Sequence, residues 1–185
     1  MKRIILILLL FTGGCDLLTT RTPEEPENRD NNYSTPTTTD VLISNLKQSF
    51  ADGYTEYYLE CFVDETYLSK EFTFTPSAAA YQISGWSLDD EKQYFNKLKT
   101  IIKDNTSVTL TFSNLVYSPQ GDNSIITADY KITFSPKDSS FPSEYQGSLQ
   151  FNAYLDSRNQ WVIVNWQDMT KDDYYSWSEL KRSLY

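Results

Sequence analysis

The chain has no histidine at all, only two cysteines and only six glycines among its 185 residues. Without histidine there is no Ser-His-Asp triad, no Cys-His dyad, no imidazole base and no histidine-containing zinc site. Two cysteines, Cys15 and Cys61, exclude a disulfide framework and a cysteine metal cluster. Few glycines leave no glycine-rich phosphate loop, and no serine stands in a nucleophile-elbow context. Basic residues are also scarce: 16 Lys and Arg face 25 Asp and Glu, a formal charge of −9. An acidic chain with no basic stripe is a poor match for phosphate backbones, so nucleic acid is excluded as a partner. No motif for a cofactor or a dedicated metal loop is present. The acid pairs Asp64-Glu65 and Asp172-Asp173 lack the alternating oxygen ligands and glycine of a calcium loop and read as solvated surface.

What is present begins with Met1-Lys2-Arg3, an apolar run from Ile4 to Phe11, the small residues Thr12-Gly13-Gly14, and Cys15. Charge, short apolar run and small residues are the order of a signal peptide, here residues 1–14, too short for a mature membrane span. With a cysteine directly after the small residues, the segment resembles the lipobox of bacterial lipoproteins, departing from it at Thr12, where leucine is commonest. The resemblance implies that Cys15 is acylated and becomes the mature N-terminus, and that the protein is anchored in the cell envelope by lipid. Asp16 resembles the inner-membrane retention signal of enteric bacteria, a rule many other Gram-negative lineages do not follow. The outer membrane is expected ahead of the inner, with the domain facing the periplasm or the exterior.

Residues 15–36 are rich in Thr, Pro, Glu and Asn, with Pro23, Pro26 and Pro36 and almost no apolar side chain. Such a stretch buries too little to offset its ordering entropy and reads as a disordered tether. A single α+β domain is expected over 37–185. Leu42, Ile43, Leu46 and Phe50 form one helical stripe, ended by Asp52-Gly53. A second helix is expected from Thr55 to about Phe62, and a short strand over Phe72–Thr75, stopped by Pro76. Ser87 to Asp90 is a capping box opening a third helix, with Tyr94, Phe95, Leu98, Ile101 and Ile102 on its apolar face. Four alternating segments follow, around Val108–Phe112, Ile126–Phe134, Leu149–Leu155 and Trp161–Trp166, which predict an antiparallel meander covered on one face. A short helix is expected over Tyr175–Leu184.

This order of elements, with Tyr57-Tyr58-Leu59 after a Gly53 turn and a closing Trp161-Val162-Ile163-Val164-Asn165-Trp166 strand, resembles the cone-shaped fold of nuclear transport factor two and the SnoaL-like proteins. A cystatin-like arrangement of helix and curved sheet is the alternative. The cone fold implies a pocket between sheet and helices, used by different members for different chemistry or for none. Phe112, Tyr130 and Phe151 would line that pocket, and Asp168 is the best single carboxylate for it, with a turn or helix cap as its plainer role. Cys61, in an apolar helical stretch without a base beside it, reads as a buried thiol.

The chain also holds 14 Tyr, 10 Phe and 4 Trp. Two groups fit the core pattern less well: Tyr54, Tyr57 and Tyr58, and Tyr174, Tyr175 and Trp177. Either they pack the helices on the sheet, or Tyr54, Tyr57, Tyr174, Tyr175 and Trp177 form a contact surface for a protein partner or a glycan. The leading functional expectation is a lipid-anchored, non-catalytic binding or assembly module. A small pocket enzyme or carrier for an apolar ligand, and a glycan-binding module, are the alternatives.

Overall fold

The computed structural model describes residues 32–185. The signal peptide, Cys15 and most of the tether lie outside the described residues. Among those described, no helix is long and apolar enough to cross a membrane.

Helix α1 spans Thr39–Asp52: Thr38 caps it by accepting from the Val41 N–H, and Gly53 at φ +70° closes it with a bond to the Ser49 carbonyl. Its Leu42, Ile43, Leu46 and Phe50 are buried, as the stripe predicts. Helix α2 is a single turn, Thr55–Leu59. It stops short of Phe62 because Phe62 and Val63 turn out to meet the sheet, the Val63 N–H donating to the Ile163 carbonyl at 3.0 Å. Strand β1, Thr73–Thr75, leads to a short 3-10 helix, Ala78–Ile83, that sequence periodicity does not announce. Helix α3, Leu88–Ile101, starts at the Ser87–Asp90 capping box.

Four long strands follow: β2 (Thr109–Gln120), β3 (Asn123–Thr133), β4 (Glu144–Leu155) and β5 (Trp161–Thr170). They form the expected meander, and the sheet order is β1-β5-β4-β3-β2. β1 runs parallel to β5, with Phe74 beside Trp166, so the five-stranded sheet is mixed rather than wholly antiparallel. Two irregularities shift the pleat. Asn114 at φ +51° and the register shift between Ser113 and Val116 carry β2 beyond Phe112, bringing Leu115 and Tyr117 to the core side. In β5, Val164 is the extra residue between Ile163, opposite Ala153, and Asn165, opposite Asn152. A bulge reverses which residues face in. Ile163 therefore faces the main core before it, and Trp166 and Asp168 after it. Val162 and Val164 join Val63 in a small second cluster on the other face, which accounts for the apolar run of this strand.

Helix α4, Trp177–Leu184, begins at a capping box of Ser176 with Glu179. It lies inside the cone. The Trp177 ring meets Phe50 of α1 at 5.3 Å, Tyr130 of β3 at 5.3 Å and Trp166 of β5 at 4.5 Å, all near edge-on. At the opposite end of the chain, residues 33–36, which composition places in the tether, are docked on the domain. Pro36 accepts from the Trp161 N–H at 2.8 Å, Ser34 accepts from Asn45 Nδ2 at 2.7 Å, and the Tyr33 ring stacks on Tyr57 at 3.9 Å.

Candidate functional site: a closed polar centre inside the cone

Of the four residues expected to line a pocket, Tyr130, Phe151 and Asp168 are buried on the concave face, and Phe112 is only half-buried at its margin. Asp168 lies within β5, not after it. Tyr130 Oη donates to Asp168 Oδ1 at 2.7 Å, and accepts from the Trp177 N–H at 2.7 Å. The other carboxylate oxygen, Oδ2, accepts from the Ser178 N–H at 2.7 Å and from Ser178 Oγ. Asp168 thus ties down the first turn of α4, where backbone N–H groups point outward and negative charge is favoured. Burial raises its carboxyl above the usual range, against the pull of the bonds from Ser178 and Tyr130.

Tyr130 reaches Asp168 because Gly147 lies opposite it on β4. A Cβ at residue 147 would stand 2.7 Å from Tyr130 Cζ and 2.5 Å from the Met169 carbonyl oxygen. Gly147→Ala should therefore push the phenol off Asp168 and lower stability by about 1–3 kcal/mol, as overpacking does. Urea titration measures this, and adding Tyr130→Phe should then cost less than it does in the wild type.

A second set of polar groups lies deeper, and the sequence reading missed it. Glu91 of α3 and Lys181 of α4 form an ion pair with 0 % exposure on both side chains. Tyr58 Oη donates to the second oxygen of Glu91 at 2.7 Å. The Lys181 ammonium sits 3.6 Å from the ring centre of Trp166 and 3.7 Å from that of Phe74, with Trp86 at 5.4 Å and Tyr94 at 5.6 Å. Tyr94 in turn accepts from the Trp177 indole N–H at 2.9 Å. Burial pushes the Lys181 ammonium down to about 8, against the attraction of Glu91. Burial first, and then the nearby acid, drives the phenols of Tyr58 and Tyr94 (beside Glu91) and of Tyr130 (beside Asp168) well above their ordinary range. At neutral pH these phenols stay protonated, and those of Tyr58 and Tyr130 serve as donors.

The proposed contact surface is divided. Tyr54, Tyr174 and Tyr175 are 45 %, 47 % and 54 % exposed. Tyr57 is half-covered by Tyr33 and stands 80° to Tyr54, not coplanar with it as two rings of a glycan platform would be. Trp177 does not belong to any surface. It is fully buried, because the Ser176 cap turns the chain inward and makes Trp177 the first residue of α4. Cys61 is buried and free, its thiol donates to the Tyr57 carbonyl, and burial pushes that thiol far up. Outside the cone, a hollow of about 510 Å³ opens between the docked residues 33–36, α2 and Arg158. Among the described residues, no group of three or more acids and cysteines is placed to hold a metal ion.

No family model and no curated protein matches the chain. Solved structures do. A protein proposed to be a scytalone dehydratase from Novosphingobium aromaticivorans superposes with a TM-score of 0.58 at 10% identity, covering 71% of this chain and 80% of that one. The fold is nuclear transport factor 2-like. An NTF2-like superfamily protein from Salmonella enterica superposes at TM-score 0.52 and 17% identity, over 71% of this chain and 88% of that one. The β subunit of benzoate 1,2-dioxygenase from Burkholderia mallei does so at 0.53 and 15%, over 72% and 89%. Identities this low establish the NTF2-like architecture and nothing of the chemistry.

Proposed function

We propose that this protein is a lipid-anchored, non-catalytic binding or assembly module of the cell envelope, held to the membrane through Cys15 and meeting a protein partner through its exposed tyrosines. The observation that carries the non-catalytic part is the position of α4. In the NTF2-like cone the space between sheet and helices is filled here by Trp177, Leu180, Lys181 and Leu184, all buried. The inward carboxylate of the sheet, Asp168, has one oxygen bonded to Ser178 of that helix and the other to Tyr130, which in turn accepts from the Trp177 N–H. A general acid or base needs a substrate within hydrogen-bond reach, and this carboxylate faces its own chain. The anchor rests on the order of charge, apolar run, small residues and cysteine in residues 1–15. For the contact surface, Tyr54, Tyr174 and Tyr175 supply large amphipathic rings that stand in solvent.

The test is intact mass and membrane partitioning of the wild type beside Cys15→Ser, with proteins co-purified in mild detergent. The wild type should carry acyl mass, stay with the membrane and bring a stoichiometric partner. Cys15→Ser should move to the soluble fraction, and Tyr54→Ala or Tyr174→Ala should lose the partner with melting temperature unchanged. An unmodified Cys15 in a soluble, solitary protein would overturn the reading.

A further inference from the structure

The deeper of the two polar centres has a composition that packing alone does not call for. One primary ammonium is enclosed by the faces of Trp166 and Phe74, at 3.6 and 3.7 Å, with Trp86 and Tyr94 further out. One carboxylate, Glu91, completes the enclosure, and its second oxygen is held by Tyr58. Aromatic faces plus a single acid are the elements that recognise an aliphatic ammonium: the rings supply cation–π attraction and the acid supplies charge. A core could do without them, since a buried ion pair is commonly no more stabilising than a well-packed apolar pair of the same volume. The indole N–H groups of Trp86 and Trp166 are buried without an acceptor. An unmet donor of this kind costs about 1–3 kcal/mol, so these rings sit where their faces, not their N–H groups, are used.

The ammonium arrives on one short helix packed inside the cone. Lys181 is carried by α4, whose first turn meets the body through Trp177 N–H to Tyr130 Oη and Ser178 N–H to Asp168, with the Ser178 hydroxyl accepting from the Ser77 N–H. Arg182 adds a bond to the Ala79 carbonyl at 2.6 Å. We infer that the box formed by Phe74, Trp86, Tyr94, Trp166, Tyr58 and Glu91 is a binding site for a primary alkylammonium group, and that α4 is its tethered ligand, keeping the site closed with the chain's own Lys181. This is independent of the anchor and of any protein partner.

The experiment uses the full chain with Lys181→Ala and follows melting by tryptophan fluorescence in n-propylammonium chloride, which replaces the atoms removed beyond Cβ. Propylammonium should restore more than half of the melting temperature that the substitution loses, in a saturable way. n-Propanol and sodium chloride at equal concentration should not, the wild type should show no saturable shift, and adding Glu91→Gln should abolish the preference for the cation. Equal rescue by propanol would mean an apolar gap only, and would overturn the inference. So would equal shifts in the wild type, or no rescue at all. If Lys181→Ala does not fold unaided, the same series is run as refolding from urea: native fluorescence regained in propylammonium alone supports the site, while recovery in none, or equally in propanol, refutes it. Lysine side-chain NMR of the wild type gives a check that needs no variant. The Lys181 ε-methylene should resonate upfield of every other lysine, and a bulk-like shift would refute the enclosure.

Discussion

Lys181→Met should lower the unfolding free energy by about 3–5 kcal/mol, and Glu91→Leu by a similar amount, because each leaves its partner as an uncompensated charge in the interior. Both side chains are fully buried, so no solvent screens the loss. The double variant should regain most of this, since an apolar pair fills the same space without desolvating any charge. It should fall short of the wild type by about 1–3 kcal/mol, because Tyr58 Oη, which donates to Glu91, then lacks an acceptor. Adding Tyr58→Phe should remove that remainder. Urea denaturation followed by tryptophan fluorescence measures all four. In a domain of this size, each kcal/mol moves the melting temperature by roughly 2–4 °C, so the single variants should melt on the order of 10 °C lower. Single-variant losses of about 0.5 kcal/mol or less, the level of a surface exchange, would be incompatible with the buried pair.

The sheet and the helix stripes were legible because each element repeats one physical signal. β3 alternates Ser124, Ile126, Ala128, Tyr130 and Ile132 inward for its whole length, and the register follows from that alternation. The capping boxes at Ser87 and Ser176 set the starts of α3 and α4 in local chemistry. The parallel pairing of β1 was not legible, since three residues carry too little pattern to choose a direction and the partner lies some ninety positions away. The bulge in β5 had a trace in Val162-Ile163-Val164, an apolar run on both faces, but a run alone does not locate the extra residue. The two charges of the polar centre stand where charges are ordinary in helices. Glu91 is an acid in the first turn of α3 and Lys181 a base in the last turn of α4, where the helix dipole favours them at the surface. Their spacing said otherwise: Glu91 falls in the same stripe as Tyr94, Phe95 and Leu98, and Lys181 in that of Trp177, Leu180 and Leu184. Two opposite charges, each within an apolar stripe, were the available signal for a buried pair. For Trp177 the same stripe argument outweighs its proximity to the exposed Tyr174 and Tyr175.

Alkaline pH should unfold this protein steeply, beginning just above pH 10. Tyr58, Tyr94 and Tyr130 have pKa values raised well above 10 in the folded state, by burial and by the neighbouring Glu91 and Asp168. A group whose folded pKa is raised contributes stability that is complete below its unfolded value and is lost as pH climbs beyond it, because the unfolded chain then releases a proton that the folded one must keep. Each such phenol removes about 1.4 kcal/mol per pH unit once the unfolded tyrosines ionise, so the three together remove about 4 kcal/mol per unit. Tyr145 and Tyr117, pushed up to about 12 by burial, add to the slope until they ionise in the folded state. The expected profile therefore falls away from about pH 10, where the unfolded tyrosines ionise. Urea midpoints across pH 7 to 11.5, read beside tyrosinate absorbance, measure it: the loss of native fluorescence should coincide with a cooperative burst of tyrosinate. Tyr58→Phe should lower the alkaline slope by about one part in three, because a benzene ring has no proton to release. A tyrosinate titration that runs to completion for all 14 tyrosines ahead of unfolding would place these phenols in contact with solvent and contradict the closed centre.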